Sequence, residues 1–464
     1  MWPWVVRRLG APLYDLLRFG GRLRRAYAEL LATERASAAE LARLRARRLA
    51  RLLAHAAAHV PHYRQTFARA GVRSPAEAAA LAFAPAAFAR LPLLGREELR
   101  RQARALRARD GRRPVRRGRT SGSSGSPLTV WLDVRALARH RAAKLRARRW
   151  LGIAPGERWV MLWGRDEPRS PLYRTAVELA ENRRVLRLQE LEGERPEAAL
   201  AKLARFAPAL IYGFASGLVR LGELVAACGA PPLPALRAVI STAELLPATQ
   251  RERLAAALGV PVAIEYGLTE VQFVAGSCEA AGLHVAEENV LLEVVRDGQP
   301  APPGELGEIV LTDLHNHAAP LIRYATGDVG ALRPEPCPCG RTLWRLDLQL
   351  GRTCELVEIG GRWLHPEVFT LPHDFPYYER VAKLRVLRTA ERAFVLEVVP
   401  AGSGPFEPVA RALARAVERA LGLPVALEVR AVAALPREPS GKLRYYRDLR
   451  REPRPLVPAP GAAG

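Results

Sequence analysis

The sequence predicts an α/β protein: a large N-terminal domain made of a helical prelude, βα sheet units and a strand-rich part, followed by a small α+β domain. Three observations carry this expectation. A chain of 464 residues exceeds what one simple core organises. Short apolar runs alternate with helical patterns through its middle, the signature of a buried parallel sheet. Beyond Val290 the apolar period becomes that of strands. Hydrophobic residues at 49% and charged residues at 25% exclude wholesale disorder, collagen and a coiled coil.

In chain order, Trp2 to Phe19 mixes Trp2, Trp4, Leu9, Leu13, Leu16 and Leu17 with Arg7, Arg8 and Arg18. That pattern suits an interfacial membrane helix, although such a helix more commonly packs on its own domain. From Gly21 to about Arg109, Ala, Leu and Arg recur at helical spacing. Breaks fall at His59-Val60-Pro61-His62-Tyr63 and at Gly71-Val72-Arg73-Ser74-Pro75, and Ser74 with Glu77 reads as a helix start. The runs Trp159 to Trp163, Ala209 to Ile211, Ala238 to Ser241 and Pro261 to Ile264 read as strands. Helical patterns lie between them, as at Pro196 to Phe206 and Pro247 to Leu258. Strand character from Val290 to Leu332 is broken by a turn cluster, Asp297 to Gly304. After Gly351-Arg352 the order is strand (Lys383 to Arg388), strand (Ala393 to Val399), helix (Pro405 to Leu421), strand (Val425 to Val432). No internal repeat is present, and Pro453 to Gly464 is a Pro/Ala/Gly tail.

The net charge of +24 is local, because residues 1–119 hold 27 Arg, no Lys and 8 Asp+Glu, a balance of +19. With only four lysines in the chain, Arg dominance reads first as base-composition bias. The basic segment suits a solvated helical surface, a dock for the phosphates of a coenzyme or carrier, or, last, nucleic acid. No nucleic-acid reader motif accompanies it, so no nucleic-acid partner is expected. Five cysteines, two of them as Cys337-Pro338-Cys339, point to a reducing compartment and to metal binding. No signal-peptide pattern opens the chain and no apolar stretch approaches the ~20 residues of a membrane span, so a cytoplasmic location is expected.

Four motifs carry chemistry. Thr120-Ser121-Gly122-Ser123-Ser124-Gly125-Ser126-Pro127 can wrap N–H and O–H donors around phosphate oxygens, or can be a flexible linker; it lacks the Lys of a Walker loop. Tyr266-Gly267-Leu268-Thr269-Glu270 follows a strand, where open α/β sheets place their ligands. Arg323-Tyr324-Ala325-Thr326-Gly327-Asp328 ends in a carboxylate able to accept from two ribose hydroxyls, and Leu435 to Lys442 sets a rare lysine on a Gly-containing loop. Taken singly, each of the last three reads better as a turn with solvated charge; all four in this order do not. Cys278, His284, Cys337 and Cys339 offer three thiolates and an imidazole for structural Zn²⁺, or are two unrelated pairs. Cys228 and Cys354 receive no role. Trp163, Tyr212 and Phe214 suit either an aromatic acid pocket or plain core.

In this order the four motifs resemble the adenylate-forming superfamily of acyl-CoA synthetases. The segment Cys337-Pro338-Cys339-Gly340-Arg341, and His55-Ala56-Ala57-Ala58-His59 running into Val60-Pro61-His62-Tyr63-Arg64, are similar to its phenylacetate-CoA ligase branch, including the capsule-biosynthesis relatives. The resemblance spans roughly Gly21 to Asp448. It implies ATP-dependent activation of a small carboxylic acid to an acyl-adenylate, then transfer to a thiol, by expectation coenzyme A. Alternatives are transfer to a carrier protein or an amine, or a catalytically inactive scaffold in surface-polysaccharide assembly. By the same resemblance, Thr120, Ser121, Gly122, Ser123, Ser124 and Gly125 cradle phosphates and Thr269 contacts the α-phosphate. Glu270 holds Mg²⁺, Tyr266 and Gly267 line the adenine with Ala243 and Glu244, Asp328 and Arg352 take the ribose, and Lys442 bridges the carboxylate and the α-phosphate. Thr242 stands where the family usually has Gly, and Cys354-Glu355 where it usually has Asp-Asp. The implied division is an Arg-rich helical part (1–119), an ATP- and acid-binding part (120–350), a hinge (351–355), a mobile C-terminal domain (356–452) and a tail (453–464).

Overall fold

A computed structural model describes residues 2–111, 116–119, 129–163, 171–192, 196–228, 233–244, 246–352, 357–359, 362–364, 375–377, 380–421, 424–436 and 446–450. The chain divides into two compact units, Met1–Leu350 and Gly351–Gly464.

The first unit opens with helices. Helix α1 (Trp2–Val5) runs through a π turn (Val6–Gly10) into α2 (Ala11–Phe19), followed by α3 (Arg22–Thr33) and α4 (Ala38–His59). Then come α5 (Pro61–Arg69), α6 (Pro75–Ala80), α7 (Pro85–Ala89) and α8 (Arg96–Arg101). The punctuation has local causes. Gly20 and Gly21, at φ of 60° and 76°, occupy left-handed backbone that a side chain resists, and they end α2 and turn the chain into α3. Ser37 and Glu40 form a capping box at the start of α4. Pro61 has no N–H for α4 to use and opens α5 instead. Ser74 accepts from the Glu77 amide at 3.1 Å, starting α6 as its spacing predicts.

A hairpin of β1 (Arg116–Arg119) and β2 (Thr129–Leu132) precedes α9 (Val134–Trp150). The βα region follows as β3 (Trp159–Trp163), α10 (Pro171–Ala180), β4 (Arg183–Arg187), α11 (Leu188–Glu192), α12 (Pro196–Phe206), β5 (Leu210–Phe214), α13 (Ala215–Cys228), β6 (Ala238–Thr242), α14 (Ala248–Leu258) and β7 (Val262–Tyr266). The strand-rich part adds β8 (Ala275–Ser277), β9 (Leu283–Val285), β10 (Val290–Arg296), β11 (Gln299–Pro300), β12 (Gly307–Asp313), β13 (Tyr324–Arg333) and β14 (Arg345–Arg352). All of β3 to β14 join one sheet, in the order β11-β10-β12-β13-β14-β9-β8-β7-β6-β5-β3-β4. Strands β4, β3, β5, β6 and β7 pair in parallel, and antiparallel pairing begins at β8.

Parallel strands β3, β5, β6 and β7 are buried or half-buried on both faces, which is why they read as apolar runs. Ile211 and Val239 pack with Leu203, Leu218 and Leu254 of α12, α13 and α14. Leu210, Tyr212, Ala238 and Ile240 form a separate cluster with Trp159. Strand β4 has no apolar run to announce it: RRVLR lies at the sheet edge, where three of its five residues can be arginines. No helix among the described residues is long and apolar enough to cross a membrane.

The second unit contains a ribbon of β15 (Val357–Ile359) and β16 (Arg362–Leu364), then β17 (Val381–Ala390), β18 (Ala393–Pro400), α15 (Glu407–Leu421), β19 (Ala426–Ala431) and β20 (Tyr446–Asp448). Its sheet runs β19-β18-β17-β20, antiparallel only between β17 and β18. Val409, Leu413, Val417 and Leu421 are buried at every fourth residue along α15, and the last three pack in one cluster with Leu396 and Val398, a small α+β core of its own.

Candidate active site

Neighbouring parallel strands end in register, with Phe214 opposite Thr242 and Thr242 opposite Glu265. The segments that follow these ends therefore lie side by side at the carboxyl edge of the sheet, where helix and loop backbones leave a crevice. Ala243 leaves β6 in left-handed backbone, φ 66°, a strained conformation for a residue with a Cβ. The turn brings the Glu244 carboxylate back to accept from the Ser216 amide, at 2.8 Å, in the first turn of α13.

After β7 the chain doubles back. A Cβ on Gly267 would lie 2.5 Å from the Gln272 carbonyl oxygen, so only glycine permits this fold. The Val274 amide donates to the Tyr266 carbonyl at 2.9 Å and the Gln272 side-chain amide to the Thr269 carbonyl at 2.7 Å, closing the loop. Thr269 is half-buried. Glu270 is 2% exposed and accepts from the Tyr324 hydroxyl at 2.9 Å.

Asp328 reaches the same place from β13 through a bulge. Glu308 pairs with Val329 but Val310 with Ala325, so three residues of β13 face one of β12. The bulge is held by the Gly327 amide on Glu308 at 3.0 Å and by Thr326, whose hydroxyl donates to the Ile309 carbonyl at 2.7 Å and accepts from the Asp328 amide at 3.0 Å. Asp328 then accepts from the Tyr266 hydroxyl at 2.7 Å. Burial, and next the Asp328 charge, push the Tyr266 phenol well above its ordinary value, so it stays a neutral donor. Tyr266, Glu270 and Asp328, from three motif positions up to 62 residues apart, thus meet through two tyrosine-to-carboxylate hydrogen bonds.

Sequence reasoning missed two groups here. Tyr324 lies inside a quoted motif but received no role, and nothing in the sequence couples it to Glu270. Lys144, on α9, donates to Glu265 at 2.6 Å, and the Tyr212 hydroxyl donates to the same oxygen at 2.8 Å. Their separations of 121 and 53 residues leave no local signal. Trp163, Tyr212 and Phe214 do come together: the rings of Trp163 and Phe214 stack at 3.8 Å between centroids, with Tyr212 parallel to Trp163 at 6.3 Å. Thr120 to Gly125, Thr353 to Glu355 and Lys442 lie outside the described residues, and Arg352 closes β14 with its side chain outside the description.

The four candidate metal ligands converge. Cys278, His284, Cys337 and Cys339 present donor atoms all within 4.8 Å of one another. The Cys278 and Cys337 sulfurs are 3.7 Å apart, far beyond the ~2.05 Å of a disulfide and close to the ~3.8 Å edge of a tetrahedron with ~2.3 Å Zn–S arms. Cys339 Sγ is 3.3 Å from His284 Nε2. His284 Nδ1 lies 3.0 Å from the Leu343 carbonyl, which can only accept. That contact fixes the proton on Nδ1 and leaves Nε2 as a lone-pair donor facing the thiols. Burial, with Arg341, Arg345 and Arg146 nearby, holds the imidazole below its ordinary value and so neutral. Two turns shape the cage. The Ala281 amide donates to the Cys278 carbonyl and the Gly340 amide to the Cys337 carbonyl, and Gly282 leaves room where a Cβ would sit 2.8 Å from Cys337 Sγ. The donor set fits Zn²⁺ in type, number and spacing.

No family model matches the chain. It is 28% identical over 445 residues to phenylacetate-coenzyme A ligase of Thermus thermophilus, covering 89% of this chain and 97% of that protein. It is 28% identical over 366 residues to phenylacetate-coenzyme A ligase of Escherichia coli, covering 75% and 80%. Among solved structures it shares the fold of 2-hydroxyisobutyryl-CoA ligase in complex with 2-HIB-AMP, with a TM-score of 0.73 at 21% identity, covering 90% of this chain and 91% of that one.

Proposed function

We propose that the chain, like the phenylacetate-coenzyme A ligases to which it is similar, is an adenylate-forming ligase, and that it joins a small carboxylic acid to coenzyme A with ATP cleaved to AMP. An acid oxygen attacks the α-phosphorus, the bond to the β-phosphate bridge breaks, and pyrophosphate leaves. A thiol then attacks the acyl carbonyl, AMP departs with one former acid oxygen, and the thiol proton passes to solvent. A carrier thiol or an amine would intercept the same adenylate.

The observation that carries the reading is the Tyr266–Asp328 hydrogen bond at the carboxyl edge of the sheet. A carboxylate accepts about four hydrogen bonds, and the one from Tyr266 orients Asp328 toward ribose hydroxyls. Glu270, steadied by Tyr324, suits Mg²⁺, which binds through one or two carboxylates plus phosphates and would neutralise phosphate charge there. Thr269 precedes it as a hydroxyl donor for the α-phosphate, and Ala243 and Glu244 flank the adenine side. Thr120 to Gly125 would hold the remaining phosphates, Arg352 would assist at the ribose, and Lys442 would supply the cation for adenylation. The stacked Trp163 and Phe214, beside Tyr212, form the acid side. Gly351–Glu355 would act as a hinge for the C-terminal domain, and Cys278, His284, Cys337 and Cys339 would hold one structural Zn²⁺ that ties the β8–β9 turn to the segment before β14. Use of ATP and CoA suits a cytoplasmic setting. Membrane contact concerns other residues, the exposed leucines of α2.

The test is pyrophosphate release across a panel of aryl and alkyl acids, with and without CoA. Acid-dependent release, and a thioester formed only when CoA is added, is the expected result. No release with any acid, together with no ATP binding by calorimetry, overturns the proposal and favours the scaffold alternative.

A further inference from the structure

The α1–α2 segment is turned inside out relative to ordinary burial. Its one carboxylate, Asp15, is 1% exposed and accepts from the Leu23 and Arg24 amides at 2.9 Å each, capping the N-terminus of α3. Phe19 and Val6 are buried on the same side. The leucines point the other way: Leu9, Leu13, Leu16 and Leu17 are 65%, 56%, 63% and 77% exposed, and Trp4 is 58% exposed. Spacing of four, seven and eight residues from Leu9 sets the four leucines on one helix face. Helix α10 packs alongside, with Gly10 against Ala180, and adds Leu172 and Leu179 at 84% and 52%.

Because Asp15 and the two left-handed glycines lock the inner face onto α3, the outer face cannot roll inward. So much apolar surface in one place marks a contact site rather than scattered exposure. Its frame is cationic. Residues 2–28 contain six arginines and no carboxylate except Asp15. Arg8, Arg22, Arg24 and Arg25 are exposed, and Arg8 lies 5.4 Å over the Trp4 ring. An exposed leucine face, an exposed Trp4 with Arg8 over its ring, and exposed arginines at the start of α3 supply the two kinds of group a lipid interface takes up, apolar side chains for the acyl layer and cations for the phosphates.

We propose that the outer face of α1–α2, with Leu172 and Leu179 of α10, docks the protein in the plane of an anionic membrane surface. Charge complementarity selects this occupant: a second copy would set the same cationic frame against itself, whereas anionic headgroups neutralise it. Each arginine near such a surface strengthens binding about fivefold.

The test is co-sedimentation of the full chain with phosphatidylcholine vesicles, and with vesicles carrying about 30% phosphatidylglycerol. We expect at least about tenfold stronger partitioning to the anionic vesicles, weakened by salt. Leu13→Glu with Leu17→Glu should lower it at least about 100-fold. Arg24→Glu with Arg25→Glu should remove the preference for anionic lipid. Both double variants should keep the melting temperature and the pyrophosphate release of the parent, since they change exposed side chains. No vesicle binding, binding unaffected by the leucine variants, or equal binding to neutral vesicles overturns the proposal. So does a lipid-free dimer, seen by light scattering, that the leucine variants dissolve, which would assign the face to a second copy.

Discussion

Replacing Tyr266 by Phe removes one hydroxyl and keeps the ring, so it isolates the bond to Asp328. That bond is 2.7 Å long and ends on a carboxylate, a class worth about 1.5–3 kcal/mol. Asp328 is half-buried and water can replace part of the loss, which favours the lower end, about 1.5 kcal/mol. If Tyr266 orients Asp328 toward the ribose, KM for ATP should rise about tenfold while the rate at saturating ATP changes less. Initial rates of acid-dependent ATP–pyrophosphate exchange at varied ATP measure both. Because the phenol stays protonated far above neutrality, the KM ratio of parent to variant should be flat between about pH 6 and pH 9. An unchanged KM, or a ratio that collapses as pH rises, would refute the argument.

Lys442→Ala should abolish exchange while ATP binding by calorimetry persists, because the charge acts on the reacting groups and most ATP contacts are assigned to the large domain; an undiminished exchange rate would make it an ordinary turn lysine. Purified protein should carry about one Zn²⁺ per chain by elemental analysis, and Cys337→Ser should lower the melting temperature more than it lowers turnover, with metal-free protein of unchanged stability as the contrary result. Arg146→Met should cost about 3–5 kcal/mol in denaturant unfolding, since it strands the fully buried Glu288 without its two-pronged partner; a loss below about 1 kcal/mol would contradict the pairing. Burial pushes the Glu288 carboxyl up, but Arg146, helped by the backbone amide and the Thr33 hydroxyl, more than offsets this and holds it below its ordinary value. Its contribution is therefore complete above that value and lost as the pH falls through the depressed one, so Glu288→Gln should flatten the acid limb of the stability curve.

What the sequence reveals depends on the reach of the interaction. Strands β3, β5, β6 and β7 are legible because both faces are buried or half-buried, and α6 because Ser74 and Glu77 cap within three residues. Helix α9 is opaque. Its run VRALARHRAAKLRARRW reads as a solvated basic helix, yet Arg139, His140, Arg146 and Arg148 are buried. The partners of three of them, Asn289, Asp313 and Glu288, lie 142 to 173 residues away. A separation of 121 residues likewise hides Lys144 and Glu265 beside the aromatic cluster. The motif residues Tyr266, Glu270 and Asp328 are legible as types, but the tyrosine-to-carboxylate bonds joining them depend on a bulge that the alternation of β13 does not announce. The outward face of α2 shows the converse limit: periodicity marks an amphipathic helix but not which side faces inward, a choice made by Asp15 capping α3.

The most direct test of the account is the fate of oxygen-18 placed in the carboxyl group of an accepted acid and followed by mass spectrometry through one round of turnover with ATP and CoA. Attack of the acid on the α-phosphorus and displacement by the thiol predict the label in AMP, one atom per thioester formed. Label in inorganic phosphate, or thioester formed with unlabelled AMP, would contradict an acyl-adenylate route.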